Sequence, residues 1–414
     1  MLHNGHFLKC LLSLIFLSQL LMAQGNNRRD LSQTNVSYQY DLLSPITFDH
    51  RLSMGPDEAT VFVRLLERNI NFELGDISYE VRENYDSEDV IQSGTIGTSQ
   101  LILEEENSRY YRFSLPISEN SNFLFIFVGG QIRSQETEYR YDITLNTDQS
   151  FPLSDLLMMQ EDKDIPVFEN YLNKDDAFRL VSLYHDTTKA FVYYYAHDFE
   201  PNPPPMAGAG ADVQKSLEID SVFPVQLNQR LNFENEGLYF AQLDTTSLIG
   251  ISFRVEGPYF PRFVTAAKLV RPLRYISTSE EMDMLENNED TKLALDKYWV
   301  KVTRSQERAK QVIRDYYRQV TRANLFFSNY KEGWKTSQGM VYLLFGPPDI
   351  VYKSAGEERW IYEAESNLLE NMSFTFVRVK NIFSNQHYNL LRDEEYRKFW
   401  YRNIDMWRKG RKQI

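Results

Sequence analysis

Few side chains in this 414-residue chain have the types and spacing that bond-breaking chemistry requires. Two histidines stand next to aspartates, His185-Asp186 and His197-Asp198. Neighbours along a strand point to opposite faces, so neither dipeptide makes an acid–base couple by itself. Beyond Gln24 the other histidines are His50 and His387. Both His-Asp pairs therefore read as loop or strand-end residues, and no metal site is expected. The chain holds no Gly-x-Ser-x-Gly and no His-Glu-x-x-His, and its one cysteine is Cys10. What remains is a set of carboxylates, Asp349, Glu357 and Glu358, which could serve a paired-carboxylate hydrolase. Acids that follow a glycine, as these last two follow Gly356, ordinarily form a solvated turn. No catalytic residue and no cofactor is assigned. A different chemistry, stacking on a sugar or a peptide, is open to Trp299, Trp334, Trp360, Trp400 and Trp407, all in the last third. Burial in a core is the simpler reading of the same rings.

Composition narrows the setting. Residues 1–24 read as a signal peptide, with Lys9 ahead of the apolar run Leu11–Met22 and Ala23 at the cleavage position. Export to the periplasm or an outer-membrane-associated envelope is the expectation. Once the signal is removed, no transmembrane span is expected, because no other segment is long and apolar enough. Cys10 would leave with the signal, so no disulfide or thiolate chemistry is expected of the mature chain. Residues 24–276 carry 21 Lys+Arg against 38 Asp+Glu, whereas residues 277–414 carry 23 against 20. The acidic part argues against a nucleic-acid partner. The bases Arg408, Lys409, Arg411 and Lys412 suit the C-terminal end of a helix.

The elements that must position these residues fall into three parts, residues 25–150, 151–274 and 275–414. In the first, Thr60–Leu65, Tyr110–Leu115, Asn122–Val128 and Tyr139–Leu145 read as short strands, the last with one wet face. In the second, strands are expected at Ala177–Leu183, Ala190–Ala196, Ser216–Val222, Gly237–Leu243 and Ile251–Val255. Pro201–Ala211 reads as an exposed loop. Both parts are expected to be β-sandwiches of immunoglobulin-like architecture. The third changes to helices packed on a small antiparallel sheet. Thr278 and Glu281 form a capping-box pattern. Helices are expected at 289–303, at 305–328 with Ala309, Val312, Ile313, Tyr316, Val320, Ala323 and Phe327 as one apolar stripe, and from Asp393 to Lys409. Strands are expected at Met340–Phe345, Arg359–Glu363, Asn371–Lys380 and His387–Leu391. Gly346–Asp349 reads as a rigid strand exit.

Within this third part, Gly333-Trp334-Lys335-Thr336, Gly339-Met340-Val341-Tyr342 and Phe345-Gly346-Pro347-Pro348-Asp349 stand close together. With Leu295–Trp299, Asn329–Glu332 and Trp360-Ile361-Tyr362, they resemble the signature of the GWxTD-domain family. The layout of signal, β-domains and this C-terminal domain is similar to exported family members of Bacteroidota-type bacteria. The resemblance implies no particular activity. The family's fifth signature residue is Asp, and here it is Ser337, which could still accept a helix-capping bond. A weaker likeness, of the Gly-Pro-Pro-Asp turn and a Trp-x-Tyr strand, is to the small lipoprotein subunit of the outer-membrane β-barrel assembly machine.

The expected function is a non-enzymatic envelope protein that interacts or assembles with other envelope proteins. The alternative is a glycan- or peptide-binding module. Candidate binding residues are Trp334, Thr336, Ser337, Asp349, Trp360 and Tyr362, and the third reading is the carboxylate hydrolase.

Overall fold

The computed structural model describes residues 30–145, 153–206, 217–364 and 370–412. The expected signal peptide, with Cys10, lies outside them.

The first sandwich consists of β1 (Ile46–Met54), β2 (Glu58–Glu67), β3 (Phe72–Arg82), β4 (Gln92–Thr95), β5 (Leu101–Glu105), β6 (Ser108–Pro116), β7 (Phe123–Ile132) and β8 (Gln135–Thr144). Its sheets run β1-β2-β6-β5 and β4-β3-β7-β8. In chain order this is the ABED and C′CFG arrangement of immunoglobulin-like domains. Alternate residues of β2 and β7, Val61, Val63 and Leu65 with Leu124, Ile126 and Val128, share one core. The four strands expected from sequence correspond to β2, β6, β7 and β8, with Asn122 just before β7 and Leu145 just after β8. The wet face expected of Tyr139–Leu145 is covered, however. Arg140 is buried, with its guanidinium 5.8 Å from the ring centres of Tyr85 and Phe125. The preceding segment lies over it. The Tyr38 hydroxyl donates to the Arg140 carbonyl at 2.8 Å and accepts from its N–H at 2.5 Å.

The second sandwich consists of β9 (Leu156–Gln160), β10 (Tyr171–Asn173), β11 (Phe178–Ser182), β12 (Lys189–Tyr195), β13 (Ser221–Gln226), β14 (Arg230–Leu231), β15 (Gly237–Gln242) and β16 (Ile251–Glu256). Its sheets run β10-β16-β15-β12-β13 and β14-β11-β9, with β10 parallel to β16. The strand expected at Ser216–Val222 is displaced to Ser221–Gln226. It contains Pro224, which argues against a strand in sequence. Yet β13 is a sheet edge, where a missing N–H can face away from the ladder.

Helix α1 (Ala266–Val270) precedes residue 275 and adds Val270 to the core of the third part. That part carries helices α2 (Ser279–Glu286), α3 (Thr291–Thr303), α4 (Gln306–Phe327), α5 (Ser337–Phe345) and α6 (Tyr396–Arg408). Its antiparallel sheet runs β17 (Ile350–Ser354), β18 (Glu357–Tyr362), β19 (Met372–Arg378) and β20 (Tyr388–Leu390). The capping box at Thr278 and Glu281 is formed as expected. The stripe of α4 is buried except for Ile313, which is half-buried, and Gln319 and Asn324 join it.

One element is of the wrong type in the sequence reading. Met340–Phe345, expected as a strand, is the body of α5. All nine residues of this helix are buried. A helix covered on every side needs no polar face, so its sequence shows no 3.6-residue period and reads as a short apolar run. The sheet instead takes Ile350–Ser354, directly after the two prolines. Around α5 lies a single core that holds all five tryptophans, each at most 1% exposed. Among the described residues, no helix is long and apolar enough to cross a membrane.

Candidate functional site

The turn between α4 and α5 is built by close backbone approach. Gly333–Lys335 forms one 3₁₀ turn that lies against α4. A Cβ on Gly333 would stand 2.0 Å from the Ala323 carbonyl oxygen, so only glycine fits. The Gly333 N–H donates to Ser328 Oγ at 3.0 Å, and the Trp334 N–H donates to Asn324 Oδ1 at 3.2 Å. Thr336 is the N-cap of α5. Its Oγ1 accepts from the Gly339 N–H at 3.0 Å and donates to the Gly333 carbonyl at 2.8 Å. A Cβ on Gly339 would stand 1.8 Å from that same carbonyl oxygen. The capping role open to Ser337 thus belongs to Thr336. At the other end of α5, Gly346 adopts φ 89° and its carbonyl accepts from the Tyr362 hydroxyl at 2.9 Å. Pro347 and Pro348 follow, and the carboxylate of exposed Asp349 accepts from the Glu363 N–H at 2.7 Å.

This turn docks on the second sandwich through charge. Lys335 is fully buried; its Nζ lies 2.5 Å from Asp198 and 2.5 Å from Glu332. Asp198 also pairs with Arg271. Burial alone would raise the Asp198 carboxyl, but Arg271 and Lys335 outweigh it and pull it down to about 2. Burial would likewise raise Glu332, yet Lys335 and Arg254 hold it below the usual carboxylate range. Beside them burial, reinforced by Lys335, pushes the Lys331 ammonium down to about 7.

The segment expected as an exposed loop is part of this contact. Pro201–Met206 crosses the turn, with Pro201 and Pro205 buried, while residues 207–211 lie outside the described residues. The Asn202 N–H donates to the Lys335 carbonyl at 2.8 Å. Asn202 Nδ2 donates to Ser337 Oγ at 2.5 Å, and Asn202 Oδ1 accepts from Lys331 Nζ at 2.7 Å. The Tyr275 hydroxyl and the Arg392 guanidinium hold the carbonyls of Asn202 and Pro204. Proline composition suggested exposure; a series of carbonyls with few donors is instead what a strap over donor side chains needs. Asp198, Asn202 and Lys335 carry no sequence signal as a group, because they come from two domains.

The remaining candidates do not converge as a catalytic set. His185 pairs with Asp155 at 2.8 Å and His197 packs edge-on against Phe199, so neither His-Asp dipeptide acts as a unit. Among the described residues no group of three or more His, Cys, Asp or Glu could hold a metal. Asp349 and Glu357 are exposed, whereas Glu358 is buried. Glu358 accepts from Tyr40, from Gln338 at 2.9 Å and from the Trp360 indole at 3.1 Å. The carboxylate it shares a lysine with is Asp142 of the first sandwich, which sequence reading missed because it lies in another domain. Lys353 stands 3.5 Å from Asp142 and 3.4 Å from Glu358. Burial would raise Asp142, but Lys353 and Arg140 keep it below its ordinary value. These groups border a cavity of about 520 Å³ where all three parts of the chain meet.

Two immunoglobulin-like sandwiches locked to an α+β domain through a Gly-Trp-x-Thr turn define the class of this molecule. Residues 237–409 match the GWxTD domain, and the chain carries that domain. The match begins at the first residue of β15, so it takes in the last two strands of the second sandwich. None of the curated proteins compared matches the sequence. Among solved structures, a red sea bream transglutaminase is 10% identical with a TM-score of 0.17, covering 51% of this chain and 31% of its own. A Salmonella alpha-2-macroglobulin reacted with methylamine is 12% identical with a TM-score of 0.17, covering 54% and 17%. The chain thus spans under a third of either protein, and likeness at that level carries no functional argument.

Proposed function

We propose that this protein is an exported, non-enzymatic interaction or assembly protein of the cell envelope, in which the GWxTD domain fixes two sandwiches as one unit. The observation that carries the reading is the use of the signature residues. Gly333, Trp334, Thr336, Ser337, Gly339 and Gly346 are all buried, and each of their polar bonds described above stays within the chain. They dock α5 on α4 and the turn on the second sandwich, which leaves Asp349, beyond the end of α5, as the exposed residue of the signature. Stacking by the tryptophans has no exposed ring to work with, because all five are internal. A site for glycan or peptide would have to use other residues.

Crosslinking in the native envelope tests the proposal. Discrete crosslinked species with neighbouring envelope proteins are expected, and a protein that remains a solitary monomer across crosslinker lengths refutes it. The carboxylate reading is tested separately. Hydrolysis of any envelope polymer that is lost in Glu358→Gln while the fold is kept would replace the assembly reading.

A further inference from the structure

The two edges on one side of the first sandwich are treated differently. The outer edge of β8 is covered at its middle, where Tyr38 and Gln39 take both main-chain groups of Arg140. The outer edge of β1 is not. This strand pairs only with β2. The Gly55 N–H donates to the Glu58 carbonyl at 2.8 Å and closes the hairpin. By alternation, Asp49, Arg51 and Ser53 then turn their main-chain groups toward β2, while Phe48, His50 and Leu52 turn theirs away. Met54 follows the same phase, since its N–H reaches the Ser154 carbonyl at 3.1 Å. Among the described residues, the N–H groups of Phe48, His50 and Leu52 and the carbonyls of Phe48 and Leu52 find no partner. The His50 carbonyl is taken by Arg51.

This open edge runs along the three-domain cavity. Six consecutive residues, Ile46 to Arg51, line the 520 Å³ space, and a cavity can meet consecutive residues only by wrapping a strand's edge. A second cavity of about 150 Å³ continues the path past His50, Arg51 and Leu52 and shares Asn170, Asn329 and Gln386 with the first. The ionic groups that dominate the path are paired within the chain. Arg64 holds Asp49 and Glu169 at 2.9 Å each, Lys353 lies between Asp142 and Glu358, and Arg51 donates to the carbonyls of Val167 and Phe168. A charged ligand would give up its hydration for groups that are mostly paired already. Among the described lining residues Asp41, Arg51 and the exposed Arg68 are the charges set in no ion pair, and Arg51 and Arg68 are bonded to neutral groups of the chain. Open main-chain donors at Phe48, His50 and Leu52, with acceptors at Phe48 and Leu52, are what an extended peptide can pair with.

We propose that the edge of β1 binds an extended, uncharged peptide segment of a partner protein, which adds as a further strand within the cleft between the three domains. The inference rests on the assembly reading and names the form its partner takes. The test is selection of uncharged octapeptides from a displayed random library on the full chain, followed by amide exchange. A selected peptide slows exchange of the Phe48, His50 and Leu52 amides. N-methylation at alternate peptide positions weakens binding about tenfold or more per blocked position, and methylation at the intervening ones does not. His50→Pro removes an outward N–H without touching the β2 ladder and weakens the same peptide similarly. Failure to select any peptide tighter than about 1 mM overturns the proposal. So does a peptide that binds without protecting β1, or one indifferent to N-methylation. Protection of the same amides by a neutral oligosaccharide instead would overturn the peptide class. Envelope crosslinks that persist unchanged in His50→Pro would sink this site while leaving the assembly reading intact, whereas peptide binding without envelope crosslinks would do the reverse.

Discussion

Replacing Gly339 by alanine separates the packing account of the GWxTD signature from any other. Alanine inside a helix is favoured over glycine by up to about 1 kcal/mol, so propensity alone predicts a gain. The added Cβ, however, would lie 1.8 Å from the Gly333 carbonyl oxygen and 2.6 Å from its carbon. Carbon–oxygen contacts settle near roughly 3.3 Å, so α5 and the turn must part by about 1.5 Å. That movement withdraws the Gly339 N–H from Thr336 Oγ1, a cap worth about 1 kcal/mol. Overpacking of a filled core costs about 1–3 kcal/mol more. The net expectation is a loss of about 1–3 kcal/mol. Urea unfolding followed by tryptophan fluorescence is the matching assay, because all five indoles lie in the core around α5 and report that domain alone. With a slope of about 1–3 kcal/mol per molar, the midpoint should fall by about 1 M. Gly356→Ala is the control. Its φ is 86° but nothing lies within 4 Å of the added carbon, so only backbone strain of about 1 kcal/mol applies. A Gly339→Ala protein as stable as the parent, or a Gly356→Ala protein hurt equally, would refute the reasoning.

Other consequences can be read from the same core and its charges. Trp334→Ala should lower stability by about 3–5 kcal/mol in the same fluorescence-monitored melt; a fully folded variant that has lost only a partner would reassign the ring to a binding role. Lys335→Met leaves the exposed Asp198 with Arg271 and the buried Glu332 with Arg271 only at 3.8 Å, and a cost of about 3 kcal/mol, carried mainly by Glu332, is expected by denaturation. Ser337→Asp, which restores the family residue, should be tolerated, because Asn202 offers its amide there and Lys331 stands on the other side of Asn202; a loss as large as that of Trp334→Ala in the melt would contradict the hydrogen-bond geometry. Acidification should destabilise the fold between about pH 6.5 and 4. Burial, aided by Arg51, pushes His50 down to about 4, and burial, aided by Lys331, pushes His387 down to about 3. The unfolded chain takes up protons there that the folded one refuses, so each contributes a loss on the order of 1 kcal/mol per pH unit. A His50→Gln, His387→Gln double variant should show a flatter midpoint-against-pH curve, and an unchanged slope would exclude these two groups as its source.

Legibility followed local regularity. Helix α4 and the Thr278 capping box were readable because one face of each is polar and the other is not, or because the cap uses side chains three residues apart. Helix α5 was unreadable as a helix for the opposite reason, since burial on every side erases the period that distinguishes it from a strand. Strand β17 hides behind Pro347 and Pro348, which stop short of the sheet, and β13 hides behind its own Pro224, tolerated at a sheet edge. The candidate site was legible only in part. Gly333, Thr336 and Gly339 announce close approach through residue type and spacing. Lys335, in the signature's free position, reads as a surface lysine. Its partner Asp198 reads as half of a His-Asp pair, and only the tertiary fold sets the two 2.5 Å apart.

The buried charges at that joint also say what the joint is for. Apolar side chains at 198, 332 and 335 together could fill the same space, and exchanging a whole ion-pair group for well-packed carbon is often no loss in stability, unlike removal of the lysine alone. Carbon, however, does not choose among faces of a sandwich. A lysine that must find Asp198 and Glu332, beside an amide that must find both Ser337 and Lys331, accepts one docking orientation. The same holds at Lys353, which reaches Asp142 of the first sandwich while its own strand pairs with that of Glu358. The two lysines therefore tie both sandwiches to one α+β body in fixed register. Fixed register is what a cleft bounded by three domains needs if the edge of β1 is to face the same opposing wall each time it is met.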